Sequence, residues 1–338
     1  MMISMGVVFC FTTLILLAAG APPMDAYYHL FMGSLGTPAK WSHVLVAWIP
    51  LTLCAVGLLY TFRIGLWNIG VEGQVMMGGA AATALLRYGI ESQFPEIFLL
   101  LSLIAGIAGG ALWALISGLL KTRGGVHEIF AGLGLNFISQ GMLLWLIFGP
   151  WKRPGVASMS GTELFPETLW LPVLSSLRLS PGGIFLVILG IIMTAWMVRN
   201  TRIGLALKAV GRNPQASFLF GLKPHRFMLL AMLLAGGFAG AAGYFQVAGV
   251  YHRLIPAISS NYGYLGLLVV MLSNFNVWAV PGVAFFFACL NVGSIQLPMM
   301  LRIDSSLSGI IQGALVLATL TVYAWRRRKD KTGNDFSE

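Results

Sequence analysis

Charged residues are scarce in this 338-residue chain: 9% of its residues are Asp, Glu, Lys or Arg, whereas 57% are hydrophobic. A water-soluble domain carries about a quarter of its residues as charged side chains, so the composition excludes an ordinary soluble protein. Apolar runs of about 20 residues, long enough to cross a bilayer core of about 30 Å as helices, recur from end to end. A transmembrane β-barrel would show short alternating segments instead, and it is rejected.

Motifs that carry chemistry are also few. Cys10, Cys54 and Cys289 all lie within apolar runs, so they indicate neither a disulfide framework nor a metal site. The five histidines are scattered, without metal-ligand or catalytic-triad spacing. No Gly-x-x-x-x-Gly-Lys-Ser/Thr phosphate loop occurs, so the chain does not hydrolyse ATP by itself. We therefore expect a protein that is not an enzyme and that holds no cofactor.

The apolar runs predict an all-α integral membrane protein with ten transmembrane helices in one domain, residues 1–326, and a basic tail at 327–338. The first run could also be a cleaved signal peptide with a small-residue site at 18–21. It lacks a basic start, which favours a retained helix. The predicted spans are 3–20, 42–62, 70–88, 97–119, 128–149, 182–199, 227–249, 262–276, 278–297 and 307–325.

Positive charge is distributed unevenly between the predicted loops. If both termini are cytoplasmic, the inner segments hold most of the 21 Lys and Arg residues, as the positive-inside rule requires. The net charge of +10 is then mainly a topology signal and a contact with anionic lipid. It gives no support for nucleic-acid binding, since no basic face carries interleaved aromatic residues.

Polar residues interrupt an apolar run at 68–74. Two glycines lower helix stability there by about 1 kcal/mol each, and an ionised Glu72 at mid-membrane costs about 2.5 kcal/mol or more. Such a segment is tolerated where it lines a cavity, which predicts a broken helix on a solute path with Asn68, Glu72 and Gln74 near it. The alternative is an interfacial turn in which Glu72 caps a helix N-terminus and pairs with Arg63.

Further polar residues lie in other predicted spans. Asn136 and Gln140 are one helical turn apart, so they share a face that we expect to point into the bundle. They either border the solute path or form a packing hydrogen bond. Additional candidates in the eighth span are Asn261, Tyr262, Tyr264, Ser273 and Asn274. The glycines at 236, 237, 240 and 243 predict a close helix–helix contact.

A basic island at 199–226 separates the sixth and seventh predicted spans. Asn213 is a good N-cap, and Pro214 suits the first helical position. Gly221 is suited to a left-handed C-terminal cap. The pattern predicts a helix of about two turns in a cytoplasmic loop, with Phe218, Leu219 and Phe220 exposed. It would either fit a groove in a soluble partner or lie on the lipid headgroups.

Ten helices with both ends inside divide into two halves of five with opposite orientation. This is the arrangement of an inverted repeat, which is a recurrent transporter architecture. A short likeness between 66–73 and 274–282 accords with such a repeat. Transport is therefore the leading interpretation, and an ion-coupled secondary transporter or a membrane scaffold are the alternatives.

The stretch 203–217, followed by Gly221 and the glycine-rich 235–243, resembles the permeases of ABC importers for ribose-type sugars, branched-chain amino acids and nucleosides. Ser217 stands where that pattern has a second alanine. The stretch 65–74 is similar to the nucleoside-type permeases, with Trp67 in place of their usual aromatic residue, and so is 127–129 with 135–137. In that family the basic island forms the coupling helix that seats in the ATPase. The residues to which the resemblance gives this role are Gly211, Asn213, Pro214, Ala216, Phe218, Leu219 and Gly221.

The resemblance implies a bundle of the vitamin-B12-importer type, called type II, in the bacterial inner membrane. It also implies a second permease subunit, a cytoplasmic ATP-binding subunit and an extracytoplasmic substrate-binding lipoprotein. The expected cargo is a nucleoside, with a ribose-type sugar as the alternative, carried by alternating access.

Overall fold

The computed structural model describes residues 22–153, 155, 161–174 and 179–301, together with six isolated positions. These positions are Cys10, Thr13, Leu14, Leu17, Gly313 and Thr321. Apart from them, the predicted spans at 3–20 and 307–325, the cleavage-site alternative at 18–21 and the basic tail at 327–338 lie outside the described residues.

The regular secondary structure of the described residues is helical, apart from an isolated bridge between Leu174 and Leu179. The all-α class is therefore confirmed. The helices are α1 Pro23–Leu35, α2 Pro38–Arg63, α3 Val71–Gly89, α4 Pro95–Thr122, α5 Glu128–Phe148, α6 Pro181–Asn200, α7 Arg202–Arg212, α8 Pro214–Leu219, α9 Pro224–Phe245, α10 Tyr262–Leu272 and α11 Val280–Leu301. A 3₁₀ turn lies at Glu167–Leu169, and α9 continues as a π-helix over Gln246–Tyr251.

Five helices in the described part are long and apolar enough to cross a membrane: α2, α4, α5, α6 and α9 with its π-helical extension. They match the predicted spans at 42–62, 97–119, 128–149, 182–199 and 227–249. The predicted span at 262–276 is wrong in length, because Asn274 and Phe275 adopt positive φ and α10 ends at Leu272. With 11 residues, α10 covers about 16 Å, roughly half of a bilayer core.

The described residues fall into two compact units. One consists of residues 48–284 and contains the breaks and polar residues singled out above. The other combines residues before 48 with residues after 284, and within it Gly293 of α11 lies against the backbone of Leu30 in α1.

Glycines hold α3, α4 and α9 together inside the 48–284 unit. A Cβ atom added at Gly240 would overlap the backbone of Gly106, and one at Gly243 would overlap the carbonyl oxygen of Val75. Gly236 lies equally close to Gly110. The close helix contact predicted from the glycines at 236, 240 and 243 is therefore confirmed, and it buries α3 between neighbours despite its polar start.

Two apolar clusters mark the two ends of this unit. One joins Tyr60 and Ile64, at the end of α2, to Leu207 and Val210 of α7. The other joins the second half of α3 and the end of α5 to the 3₁₀ turn and the segment after α9. The residues between these clusters form the candidate site.

Candidate functional site

The chain breaks between α2 and α3. Gly65 has φ +81°, and the N–H groups of Gly65 and Leu66 donate to the carbonyls of Phe62 and Thr61 at 3.1 and 2.9 Å. This pattern is the Schellman motif that ends a helix through a left-handed residue. The predicted broken helix is therefore present, but Glu72 already lies in the first turn of α3.

Asn68 and Gln74 bond to each other across this break. Asn68 Nδ2 donates to Gln74 Oε1 at 3.0 Å, and Gln74 Nε2 donates to Asn68 Oδ1 at 2.9 Å. Their exposed fractions are 1% and 0%. The pair closes the break as a structural clasp, and neither side chain reaches the cavity described below. That they border a solute path remains a prediction.

Glu72 caps a helix that is distant in the sequence. Its Oε1 accepts from the backbone N–H of Asn261 at 3.1 Å, and its Oε2 accepts from that of Gly263 at 2.9 Å. These two N–H groups begin α10, where the helix dipole favours a negative charge. The helix cap that the alternative reading gave to Glu72 is therefore present, whereas its pairing with Arg63 is wrong, because both carboxylate oxygens are held at α10 and no ion pair with Arg63 occurs among the described residues.

Gly263 makes this approach possible. A Cβ atom at that position would lie 2.6 Å from Glu72 Oε2 and 2.8 Å from Glu72 N. The backbones at the starts of α3 and α10 therefore meet directly, through a carboxylate that is 3% exposed.

Asn136 of α5 ties the same two elements together. Its Oδ1 accepts from the N–H of Gly73 at 2.9 Å, and its Nδ2 donates to the carbonyl of Ile69 and the hydroxyl of Tyr264, each at 3.0 Å. Asn136 is 6% exposed. Since these bonds occupy both the oxygen and the nitrogen of its amide, the role that they show for Asn136 is to hold the start of α3 beside Tyr264 of α10.

A cavity of about 340 Å³ lies beside this network. Three of the five residues predicted for the solute path, Glu72, Asn136 and Gln140, line it. Gln140 Nε2 donates to the carbonyl of Pro256 at 3.2 Å. The remaining lining residues are Met76, Leu133, Phe137, Pro256, Ala257, Ser259, Ser260, Asn261 and Tyr264.

The loop 252–261 forms one wall of the cavity, and of its residues only Asn261 was a candidate from the sequence. His252, Ser260 and Asn261 have positive φ. Gln246, which is 2% exposed, supports the loop from the π-helix through a 3.2 Å bond to the carbonyl of Ile258. The signal that could have indicated it is a glutamine inside an apolar run, followed within ten residues by a proline.

The segment 161–174 holds this loop from its other side. Phe165 N donates to the carbonyl of His252 at 2.9 Å, and the Thr162 hydroxyl accepts from Leu254 N at 3.0 Å. The ring of Trp170 stacks on that of His252 at 3.9 Å between centroids. Burial lowers the pKa of His252 below its ordinary value of 6.5, although its bond to the Ala248 carbonyl acts in the opposite direction.

At the opposite end of the unit, α7 lies on the bundle and presents its cations outwards. Leu207 and Val210 are fully buried, whereas Arg202, Lys208 and Arg212 are exposed. Gly211 faces inwards, because an added Cβ would overlap the carbonyl oxygen of Arg63. Gly211 therefore contacts the residues that lead into the break before α3.

The caps predicted for α8 are confirmed. Asn213 Oδ1 accepts from Ala216 N at 3.0 Å, and Pro214 occupies the first helical position. Gly221 has φ +81°, and Leu222 N donates to the Ser217 carbonyl at 3.0 Å, which completes a Schellman motif. The helix of six residues is shorter than the predicted two turns. Its apolar tip is exposed, at 64% for Phe218, 86% for Leu219 and 87% for Phe220.

The comparison with protein families matches residues 41–320 to the family of the branched-chain amino acid transport system permease component. The match includes the break, the cavity and the basic island. The chain belongs to this family of ABC transporter permeases, and its apolar helices are those of a multi-pass membrane protein.

Three curated relatives cover most of the chain. The glucose ABC transporter permease protein of Haloferax volcanii is 29% identical over 95% of this chain and 87% of its own. The guanosine ABC transporter permease protein of Bacillus subtilis is 28% identical over 93% and 90%. The nucleoside ABC transporter permease protein of Lactococcus lactis is 26% identical over 85% and 80%.

Proposed function

We propose that this chain is the membrane-spanning permease subunit of an ATP-driven importer for nucleosides, in a bacterial inner membrane. It would work with a second permease subunit, a cytoplasmic ATP-binding subunit and an extracytoplasmic substrate-binding lipoprotein. Ten spans in two inverted halves, with both termini in the cytoplasm, belong to this proposal, as does the type II bundle.

The observation that carries the proposal is α8. It is fixed at both ends by caps, it projects three exposed apolar side chains, and exposed cations surround it. A short rigid helix with an apolar tip is suited to a groove on a soluble partner. Since the chain has no phosphate loop, an ATP-driven importer needs a separate subunit that binds ATP, and we propose that this subunit docks at α8.

A physical route joins α8 to the cavity. Movement of α7 and α8 would act through Gly211 on the end of α2, and from there on the break closed by Asn68 and Gln74. The break continues into the first turn of α3, where Glu72 and Asn136 bond to α10 and to the cavity wall. This continuity supports alternating access driven from the cytoplasmic side, with the solute passing the cavity.

The cargo is proposed to be a nucleoside because several relatives carry nucleoside or guanosine names. A glucose-type sugar is the second candidate, since a relative of similar identity is a glucose permease protein. An ion-coupled mechanism is less well supported. Such a transporter needs a carboxylate within the membrane as its ion ligand, and both oxygens of Glu72 already accept backbone N–H groups.

The test of coupling is Phe218→Asp in membranes that contain the assembled transporter. Burying a phenylalanine is worth about 1.5–3 kcal/mol, so we expect the ATP-binding subunit to associate about tenfold to a hundredfold more weakly. ATP-driven guanosine uptake should fall with it. Gly211→Trp is a less specific test, because any side chain there collides with Arg63.

The matched control is Phe94→Asp. Phe94 is 65% exposed, compared with 64% for Phe218. It lies directly before the first residue of the long helix α4 and not in the basic island. It should leave ATPase association and uptake unchanged. Equal uptake in the two variants would refute docking at α8, and uptake energised by a proton gradient in the absence of ATP would refute the importer assignment.

A further inference from the structure

We propose, on the basis of the proposed function, that Glu72 makes the cavity a binding site for uncharged solutes by neutralising the start of α10, and that Gln140, Phe137 and Tyr264 contact the solute.

Ionisable side chains are scarce in the wall of this cavity. Among the described residues that line it, Glu72 is the only Asp, Glu, Lys, Arg or His. An anionic solute would find no cation there and would lose part of its hydration in the cavity without a compensating charge. An uncharged solute avoids this desolvation cost.

The start of α10 borders the same cavity, since Asn261 lines it. The start of a helix attracts anions through its free N–H groups and its dipole. At α10 the N–H groups of Asn261 and Gly263 are already bonded to Glu72. The same two bonds engage both carboxylate oxygens, so they also reduce the attraction of Glu72 for a cation. The carboxylate and the helix terminus therefore compensate each other and leave a nearly neutral site.

Some hydrogen-bonding side chains in the cavity are engaged by the protein, and others keep a free donor or acceptor. Asn136 is fully engaged by its neighbours. Gln140 donates to Pro256, and its Oε1 has no partner among the described residues. The Tyr264 hydroxyl accepts from Asn136, which leaves its proton to donate. Gln140 and Tyr264 thus offer one acceptor and one donor to a solute.

An apolar surface lies beside these groups. Phe137 lies one position after Asn136 and is 77% exposed, although it lines the cavity. An aromatic face packs against a planar base or the C–H face of a sugar ring. A donor, an acceptor and a flat apolar surface around about 340 Å³ fit a nucleoside or a sugar of similar size.

Cysteine protection tests the site without a binding protein or transport. Phe137→Cys would be placed in a chain in which Cys10 and Cys289 are replaced by serine, while Cys54 is fully buried and stays. Guanosine and glucose should slow alkylation of this cysteine. Guanosine monophosphate and glucuronate should need at least about tenfold higher concentrations for the same protection. Glucosamine provides the cationic comparison, and it should protect no better than glucose.

The matched control is Phe130→Cys on the same helix, where Phe130 is 71% exposed but does not line the cavity. It should be alkylated at the same rate with and without solute. Glu72→Gln should bring the half-protecting concentrations of the neutral and anionic probes closer together. If Glu72→Gln fails to fold, the inference is still tested by comparing neutral and anionic probes in the Phe137→Cys protein that keeps Glu72. Equal protection by anions, or protection at both cysteines, would overturn the inference.

Uptake by the assembled transporter distinguishes this inference from the proposed function. Gln140→Met should lower guanosine uptake per ATP hydrolysed about threefold to tenfold, which corresponds to the loss of one hydrogen bond. Absence of ATP-driven uptake with the wild-type chain would contradict the proposed function and the inference resting on it. If the wild-type chain supports ATP-driven uptake and Gln140→Met leaves guanosine uptake per ATP hydrolysed unchanged, the contact between Gln140 and the solute is overturned, and the proposed function is not.

Discussion

The start of α10 leaves no room for a side chain at Gly263, and this gives a sharp prediction for Gly263→Ala. The added Cβ would lie 2.6 Å from Glu72 Oε2, so the carboxylate must move away and its bond to the Gly263 N–H must lengthen. Overpacking of this kind costs about 1–3 kcal/mol. Loss of a hydrogen bond to a charged group costs about 1.5–3 kcal/mol more.

These two effects overlap, since one displacement causes both, and alanine gains back up to about 1 kcal/mol of helix propensity. We therefore expect a net destabilisation of about 2–4 kcal/mol. The assay is the thermal unfolding midpoint of the purified protein in detergent micelles. Gly141→Ala in α5 is the control. Nothing lies within 4 Å of a Cβ added there, so the gain in helix propensity should raise the midpoint slightly. A midpoint for Gly263→Ala at or above the wild-type value would refute the close approach of α3 and α10.

Two further predictions concern other parts of the same unit. Asn68→Ala should lower the unfolding midpoint in the same assay, because it leaves the fully buried Gln74 amide without its partner at a cost of about 1–3 kcal/mol. Adding Gln74→Met should restore part of the lost stability. A double variant no more stable than Asn68→Ala would contradict the stabilising role of the Asn68–Gln74 pair. The depressed pKa of His252 means that the unfolded chain binds more protons below about pH 6.5, so stability should decrease as the pH falls through that value. His252→Asn, which tolerates the positive φ, should remove this pH dependence in midpoints measured from pH 7.5 to 5, and an unchanged slope would contradict it.

The sequence predicted features whose physics is local. Apolar runs indicated membrane helices because hydrophobic length and bilayer thickness must match, and five of these helices are present in the described residues. The caps of α8 were predictable for the same reason, since Asn213, Pro214 and Gly221 act on backbone groups within a few residues of themselves. The break before α3 was visible as polar and glycine residues in an apolar run.

Contacts between distant segments were decided by the tertiary structure. The sequence left open whether Glu72 lies on a solute path or caps a helix N-terminus and pairs with Arg63. Nothing near it in the sequence indicated that its partners are the N–H groups of Asn261 and Gly263. Gly211 likewise looked like part of a docking surface, whereas it packs inwards on Arg63.

The scarcity of charge from which the sequence analysis began therefore determined the class of the protein, because burying charge in a membrane is expensive wherever it occurs along the chain. It did not determine the role of the few polar residues that remain. That role depends on which backbone donors and acceptors the packing of α3, α5 and α10 brings within hydrogen-bonding distance, and only the folded chain sets those distances.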